Sequence, residues 1–166
     1  PEALKKAKKV VSMFGSFYKG YGGGEISAEW NVRADIYSSR KLLNSGANLV
    51  LAGLDITDHV ILTEEYLQLL TMRQSPLTNS LTALYSLWYK HADWAITPKM
   101  FEALPIGMIL WPELFETKKV FIYVSNDGFT LIDKEKSPNC EIGISINRDE
   151  FLKRMMNSLL EQNFER

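Results

Sequence analysis

Leu49-Val50-Leu51-Ala52-Gly53-Leu54 is an unbroken apolar run between Asn48 and Asp55. It is far short of the about 20 apolar residues that cross a bilayer. It also lacks the polar alternation that would turn one face to water. Such a run fits a strand buried on both faces, as in a parallel sheet. Val10 and Val11 with Met13, ended by Gly15, make a second strand of the same kind. Between the two, residues 33–44 read as a helix closed by Asn44-Ser45-Gly46. Strand, helix, strand with buried strands is the grammar of an α/β protein.

The rest of the chain extends that pattern. A short helix is predicted over 2–8, and a loop rich in Gly, Ser and aromatics over 16–27. A helix follows from about Thr63 to Met72, and Pro76 breaks it. Leu81, Leu84, Tyr85 and Trp88 recur at three and four residues, which predicts an amphipathic helix over 79–91. Thr78 or Asn79 reads as its cap. A loop is expected over 92–99 and a helix over 100–110. Val120–Val124, the turn Asn126-Asp127-Gly128 and Thr130–Ile132 form a β-hairpin, and residues 115–140 could be an outlying one. Ile142–Ile146 is one more strand, and Asn147 with Glu150 resembles a capping box for a last helix. Its buried stripe is Phe151, Leu152, Met155, Met156, Leu159 and Leu160. The expected architecture is α/β: part of an open, mainly parallel sheet flanked by helices, with a β-hairpin near the C-terminus. The 166 residues suit one domain, with no repeat and no boundary.

Composition excludes several classes. A net charge of −1 lacks the basic excess of a general nucleic-acid binder. The cluster Lys5, Lys6, Lys8, Lys9 reads as a solvated helix face. Cys140 is the only cysteine, so no internal disulfide can form. With no signal peptide and no membrane span in the sequence, the expected location is cytoplasmic. One Cys and two distant His, His59 and His91, give no zinc spacing. Gly-x-Ser-x-Gly and Walker motifs are absent, and Gly20–Gly24 lacks the dinucleotide-binding spacing. The chain opens at Pro1 straight into a helical pattern, as a piece beginning inside a fold would.

Two constellations remain. Glu29 and Asn31 flank Trp30 just after the glycine-rich loop; on an extended backbone they would share one side. Carboxylate and carboxamide together offer acceptors and donors to vicinal hydroxyls, as sugar binding requires. The same residues also fit a polar loop ending in a helix cap. Asp55 and Asp58 leave the carboxyl end of the second strand, where open α/β sheets place ligands. With Glu29 they could suit a hard cation, or simply be turn and cap residues.

Val-Val-Ser-Met-Phe-Gly-Ser (10–16), Ala-Glu-Trp-Asn-Val-Arg-Ala-Asp (28–35) and Ala-Gly-Leu-Asp-Ile-Thr (52–57) follow one another here. They resemble, in order and distance, the Met-Gly-Gly, Glu-Phe-Asn and Leu-Asp-Val-Thr segments of the inosine-uridine preferring nucleoside hydrolases. Phe101–Gly107 and Trp111–Phe115 resemble that family's His-Asp-Pro-Leu-Ala segment with its trailing Pro-Glu-Leu-Phe. Gly128, Thr130 and Asp133 of the hairpin match its tail. The resemblance covers nearly the whole chain but only the C-terminal half of such an enzyme. It implies hydrolysis of the N-glycosidic bond of ribonucleosides, with Ca²⁺ holding the ribose diol and the attacking water. By position, Glu29 and Asn31 match the ribose-binding pair, Met13 the pocket methionine, and Glu102 a calcium-binding Asp. The chain departs from the family at four points. The N-terminal Asp-rich motif is absent, Phe101 stands for a His, Glu102 for an Asp, and Gly23 for a ribose-contacting Asn. Ser75-Pro76-Leu77-Thr78-Asn79 mimics another family segment but lies out of order. The resemblance therefore implies a hydrolase completed by an N-terminal portion or another subunit and assembled as a homo-oligomer, with a non-catalytic nucleoside- or partner-binding relative as the alternative.

Overall fold

Leu49–Ala52 (β2) is buried at every position and has strands on both sides. In the computed structural model, which describes residues 2–91 and 97–162, β2 lies second in a five-stranded sheet. The other strands are Val10–Met13 (β1), Phe115–Val124 (β3), Thr130–Asp133 (β4) and Cys140–Ile146 (β5). Their order is β1-β2-β5-β3-β4. β1, β2 and β5 run parallel, while β3 is antiparallel to both β5 and β4. The open, mainly parallel sheet and the hairpin are thus as expected. The hairpin is no outlier, however, because β3 pairs along β5 from Phe115 to Val120.

Side chains alternating along β2 divide the core into two layers. Leu49 and Leu51 pack with Val32, Leu43, Ile122 and Ile142. That layer lies under helices Trp30–Ala34 (α1) and Ile36–Leu43 (α2). Val50 and Ala52 pack with Ile56, Leu104, Met108, Phe151 and Leu152. This second layer is closed by Leu54–Thr57 (α3), Ala103–Leu110 (α6) and Arg148–Leu160 (α7). Glu64–Arg73 (α4) and Pro76–His91 (α5) pack on each other beside α7. Leu70 and Met156 are buried at that junction.

Several boundaries differ from the sequence expectation. The first helix shrinks to one 3₁₀ turn, Leu4–Lys6, and Pro1 lies outside the described residues. The helix expected over 33–44 starts at Trp30 and breaks at Asp35, whose side chain accepts from Ser38 N–H and restarts it as α2. Leu54 leaves the strand for α3. Pro76 opens α5, as a proline in a first turn can. Thr78 and Asn79 lie inside α5 and do not cap it; Ser75 is the cap, its Oγ accepting from Thr78 N–H while Thr78 Oγ1 accepts from Ser75 N–H. The α5 stripe is not a core stripe, since Leu84 is 63% exposed. Asn147 does cap α7, accepting from Glu150 N–H, but the Glu150 carboxylate pairs with Arg154 instead of closing the box. The loop expected over 92–99 falls outside the described residues at 92–96.

Candidate functional site

The carboxyl end of β1 runs into a loop whose N–H groups are each claimed by a named acceptor. Phe14 N–H donates to Ala52 O, Gly15 N–H to Glu29 Oε2, and Ser16 N–H to Thr130 Oγ1. Phe17, Tyr18 and Lys19 N–H all donate to the Asp55 carboxylate, at 2.9, 2.7 and 3.0 Å. Asp55 therefore serves as an anchor for residues 17–19, with its oxygens directed at backbone. Charge-assisted bonds of this kind are stronger than neutral ones.

Glu29 has the matching role from the other side. It is the N-cap of α1, with Oε1 accepting from Asn31 N–H at 2.8 Å and Oε2 from Val32 N–H at 3.3 Å and Gly15 N–H at 3.1 Å. At 2% exposure this carboxylate is a buried joint between the β1 loop and α1. The backbone from Trp30 is helical, so the extended geometry that would set Glu29 beside Asn31 does not occur.

Asn31 instead faces a different pair. Its Nδ2 donates to Met13 Sδ at 3.2 Å and lies 3.5 Å from Glu102 Oε1, across 71 residues of sequence. Met13 is the last, buried residue of β1, and Glu102 is the exposed residue immediately before α6. The structure thus brings together Met13, Asn31 and Glu102, with Glu29 at the N-cap behind Asn31 and Asp55 anchoring the neighbouring loop. Phe101 is half-buried and has the Lys99 ammonium 5.8 Å from its ring centre.

Tyr21 and the Asp58–Lys99 pair border the site. Tyr21 Oη accepts from Trp30 N–H at 3.0 Å, at the first turn of α1. Its phenol is pushed above the ordinary range by burial first, with the Glu29 and Asp58 charges adding to the rise. Asp58, a buried residue, takes Gly22 N–H on one oxygen and Lys99 Nζ on the other. His59 beside it is held below its usual value by burial, then by the Arg148 and Lys19 cations. Lys99 and Tyr21 carried no sequence signal. The Asp58–Lys99 pair spans 41 positions and no local spacing announces it.

The donor set bears on the Ca²⁺ implied by the resemblance. Ca²⁺ takes six to eight oxygens. Glu29 and Asp55 are committed to backbone N–H groups, leaving the Glu102 carboxylate and the Asn31 carboxamide oxygen. No group of three His, Cys, Asp or Glu side chains suited to a metal occurs among the described residues. These residues alone do not make a Ca²⁺ site. Among the described residues, no helix is long and apolar enough to cross a membrane.

Comparisons with known proteins bear on the family and the fold. Residues 1–153 match the family model described as inosine-uridine preferring nucleoside hydrolase. A non-specific ribonucleoside hydrolase, RihC, of Escherichia coli O157:H7 is 30% identical over 157 residues, covering 89% of this chain and 50% of that protein. The RihC of Klebsiella pneumoniae is 29% identical over 161 residues, covering 91% and 51%. The chain therefore spans about half the length of the curated relatives it matches. Among solved structures, a purine-preferring ribonucleoside hydrolase from Gardnerella vaginalis superposes with a TM-score of 0.81 at 19% identity, covering 96% of this chain and 54% of that one. A plant nucleoside hydrolase, PpNRh1, gives 0.82 at 19%, covering 96% and 55%.

Proposed function

The chain belongs to the inosine-uridine preferring nucleoside hydrolase family, and from that premise we propose that it forms the ribose-facing part of an N-glycosidase acting on ribonucleosides. The reaction adds water across the bond between ribose C1′ and the base nitrogen, releasing free base and ribose. Asn31 is the group that holds the sugar, its carboxamide donating to and accepting from vicinal hydroxyls. Met13 packs its thioether against the ring. Glu102, beside Asn31, is the acid this chain would offer to the metal that the resemblance implies. Glu29 acts through the others, fixing the first turn of α1 so that Asn31 faces Met13. The carrying observation is the Met13–Asn31–Glu102 contact, which joins three distant segments at the carboxyl end of the sheet.

The rest of the active site lies, in this proposal, on the half of the family's length that the chain does not span. Two features support a partner there. Val10 and Phe14 N–H donate toward β2, so by alternation Val11 and Met13 present theirs to the open edge of β1, which no strand among the described residues covers. Beside that edge, α6 packs on β1 and is apolar all round; Ile106, Ile109 and Leu110 are 59%, 61% and 59% exposed. The acids that the Ca²⁺ implied by the resemblance still needs would come from that partner, with Glu102 as this chain's contribution.

Calorimetry of the chain with ribose and with inosine or uridine tests the sugar site, and Asn31→Ala should abolish any binding seen. Adding the complementary half of a relative should then produce free base. One observation favours a second reading, a binding protein without turnover: Phe101 occupies the place of the family's His and faces Lys99 instead of a free acid. Nucleoside bound by the completed assembly with no base released would select that reading.

A further inference from the structure

Beyond the residues that would touch a sugar, the geometry points to Asp58 as a positioning residue: it locks the glycine-rich turn to the segment carrying Glu102 and thereby fixes Glu102 against Asn31. The contacts form a closed circuit. Asn31 follows Trp30, whose N–H is held by Tyr21 Oη. Tyr21 precedes Gly22, whose φ of +69° belongs to the left-handed region that favours glycine. Gly22 N–H donates to Asp58 Oδ2 at 2.9 Å. Asp58 Oδ1 accepts from Lys99 Nζ at 2.6 Å. Lys99 lies three residues before Glu102, in a segment pinned by Leu62 N–H to Pro98 O and by Met100 N–H to Val60 O. Glu102 returns to Asn31.

As Asn31 does at one end of this circuit, Asp58 joins the two arms at the other. Its side chain is 8% exposed and that of Lys99 is 34% exposed, so the pair is screened less than a surface ion pair. Without Lys99, Asp58 would keep a buried charge with one backbone donor, and the turn would lose its rigid anchor. An error of an ångström in the Glu102 position would then weaken a geometry-dependent site. That consequence rests on the proposed sugar site, whereas the lock itself does not.

The test is amide hydrogen exchange combined with ribose calorimetry on this chain and on Lys99→Met, Lys99→Arg and Asp58→Asn. Lys99→Met lies outside the glycine-rich turn, yet it is expected to raise exchange at Gly22 and Trp30 about tenfold, the loss implied by a charge-assisted contact. β2 and β5 should keep their protection. Lys99→Arg should restore the turn, and Asp58→Asn should mimic Lys99→Met. Ribose affinity should fall in step with exchange in the turn. If exchange at Gly22 and Trp30 is unchanged in both Lys99→Met and Asp58→Asn, the lock is overturned whatever the ligand does. If exchange rises but affinity does not move, the positioning role is overturned. A wild-type chain that binds no ribose overturns the sugar-site proposal, while the exchange result still decides the lock.

Discussion

Glu29 presents its carboxylate to three backbone N–H groups, and its removal strips all three at once. Glu29→Ala is therefore expected to cost about 2–4 kcal/mol, the sum of a lost cap and unsatisfied buried donors. Urea denaturation measures this, and a change within about 0.5 kcal/mol, typical of surface sites, would contradict the assignment. Asn31→Ala should leave the urea midpoint nearly in place, because among the described residues the Asn31 side chain's hydrogen bonds go to Met13 and Glu102 at a half-buried position. Stability and sugar binding are thus expected to separate between two residues two positions apart. Cys140 gives a further test. Burial raises its thiol from 9.0 to about 12. Above pH 9 the unfolded thiol ionises while the folded one stays protonated, so this group takes stability away as pH climbs from 9 toward 12. At pH 8 a thiol reagent should label Cys140 only at the rate of opening; fast labelling of folded protein would refute the burial.

At the scale of elements, what the sequence made legible was what periodicity encodes. β2 was readable because its burial is continuous, and α7 because its apolar stripe and Asn147 cap are local. The first half of β3 was not readable. Glu116, Thr117, Lys118 and Lys119 are exposed and polar, and they are a strand only because β5 pairs with them. The α5 stripe gave the helix but not its burial, because helical spacing says that a face is apolar, not that something lies against it. At the site, Glu29 and Asn31 were found as a couple, but the division between them depends on a helix beginning at Trp30. That beginning is set by the Glu29 cap and by Tyr21 holding Trp30 N–H. Close packing also decides the sign of one substitution. A Cβ at Gly107 in α6 would collide with the Phe151 ring. Gly107→Ala is expected to destabilise by about 1–3 kcal/mol through overpacking, against the roughly 1 kcal/mol that helix propensity alone would add. A raised thermal midpoint would show that the helix yields.

Across the whole molecule, the open β1 edge and the outward apolar face of α6 make association the expected behaviour of the isolated chain. Sedimentation should show concentration-dependent growth, and Ile109→Lys should reduce it. Identical sedimentation of the two proteins would mean that α6 plays no part. β5 has a different importance, because it is parallel to β2 on one side and antiparallel to β3 on the other. Among the described residues, no other strand bonds the segment built from residues 10–57 to the one built from 115–133. Emerging from a ribosome, the chain holds both flanks of its sheet without the slat that fits between them. Until residues 140–146 are in the open, the two flanks are sticky halves awaiting a wedge.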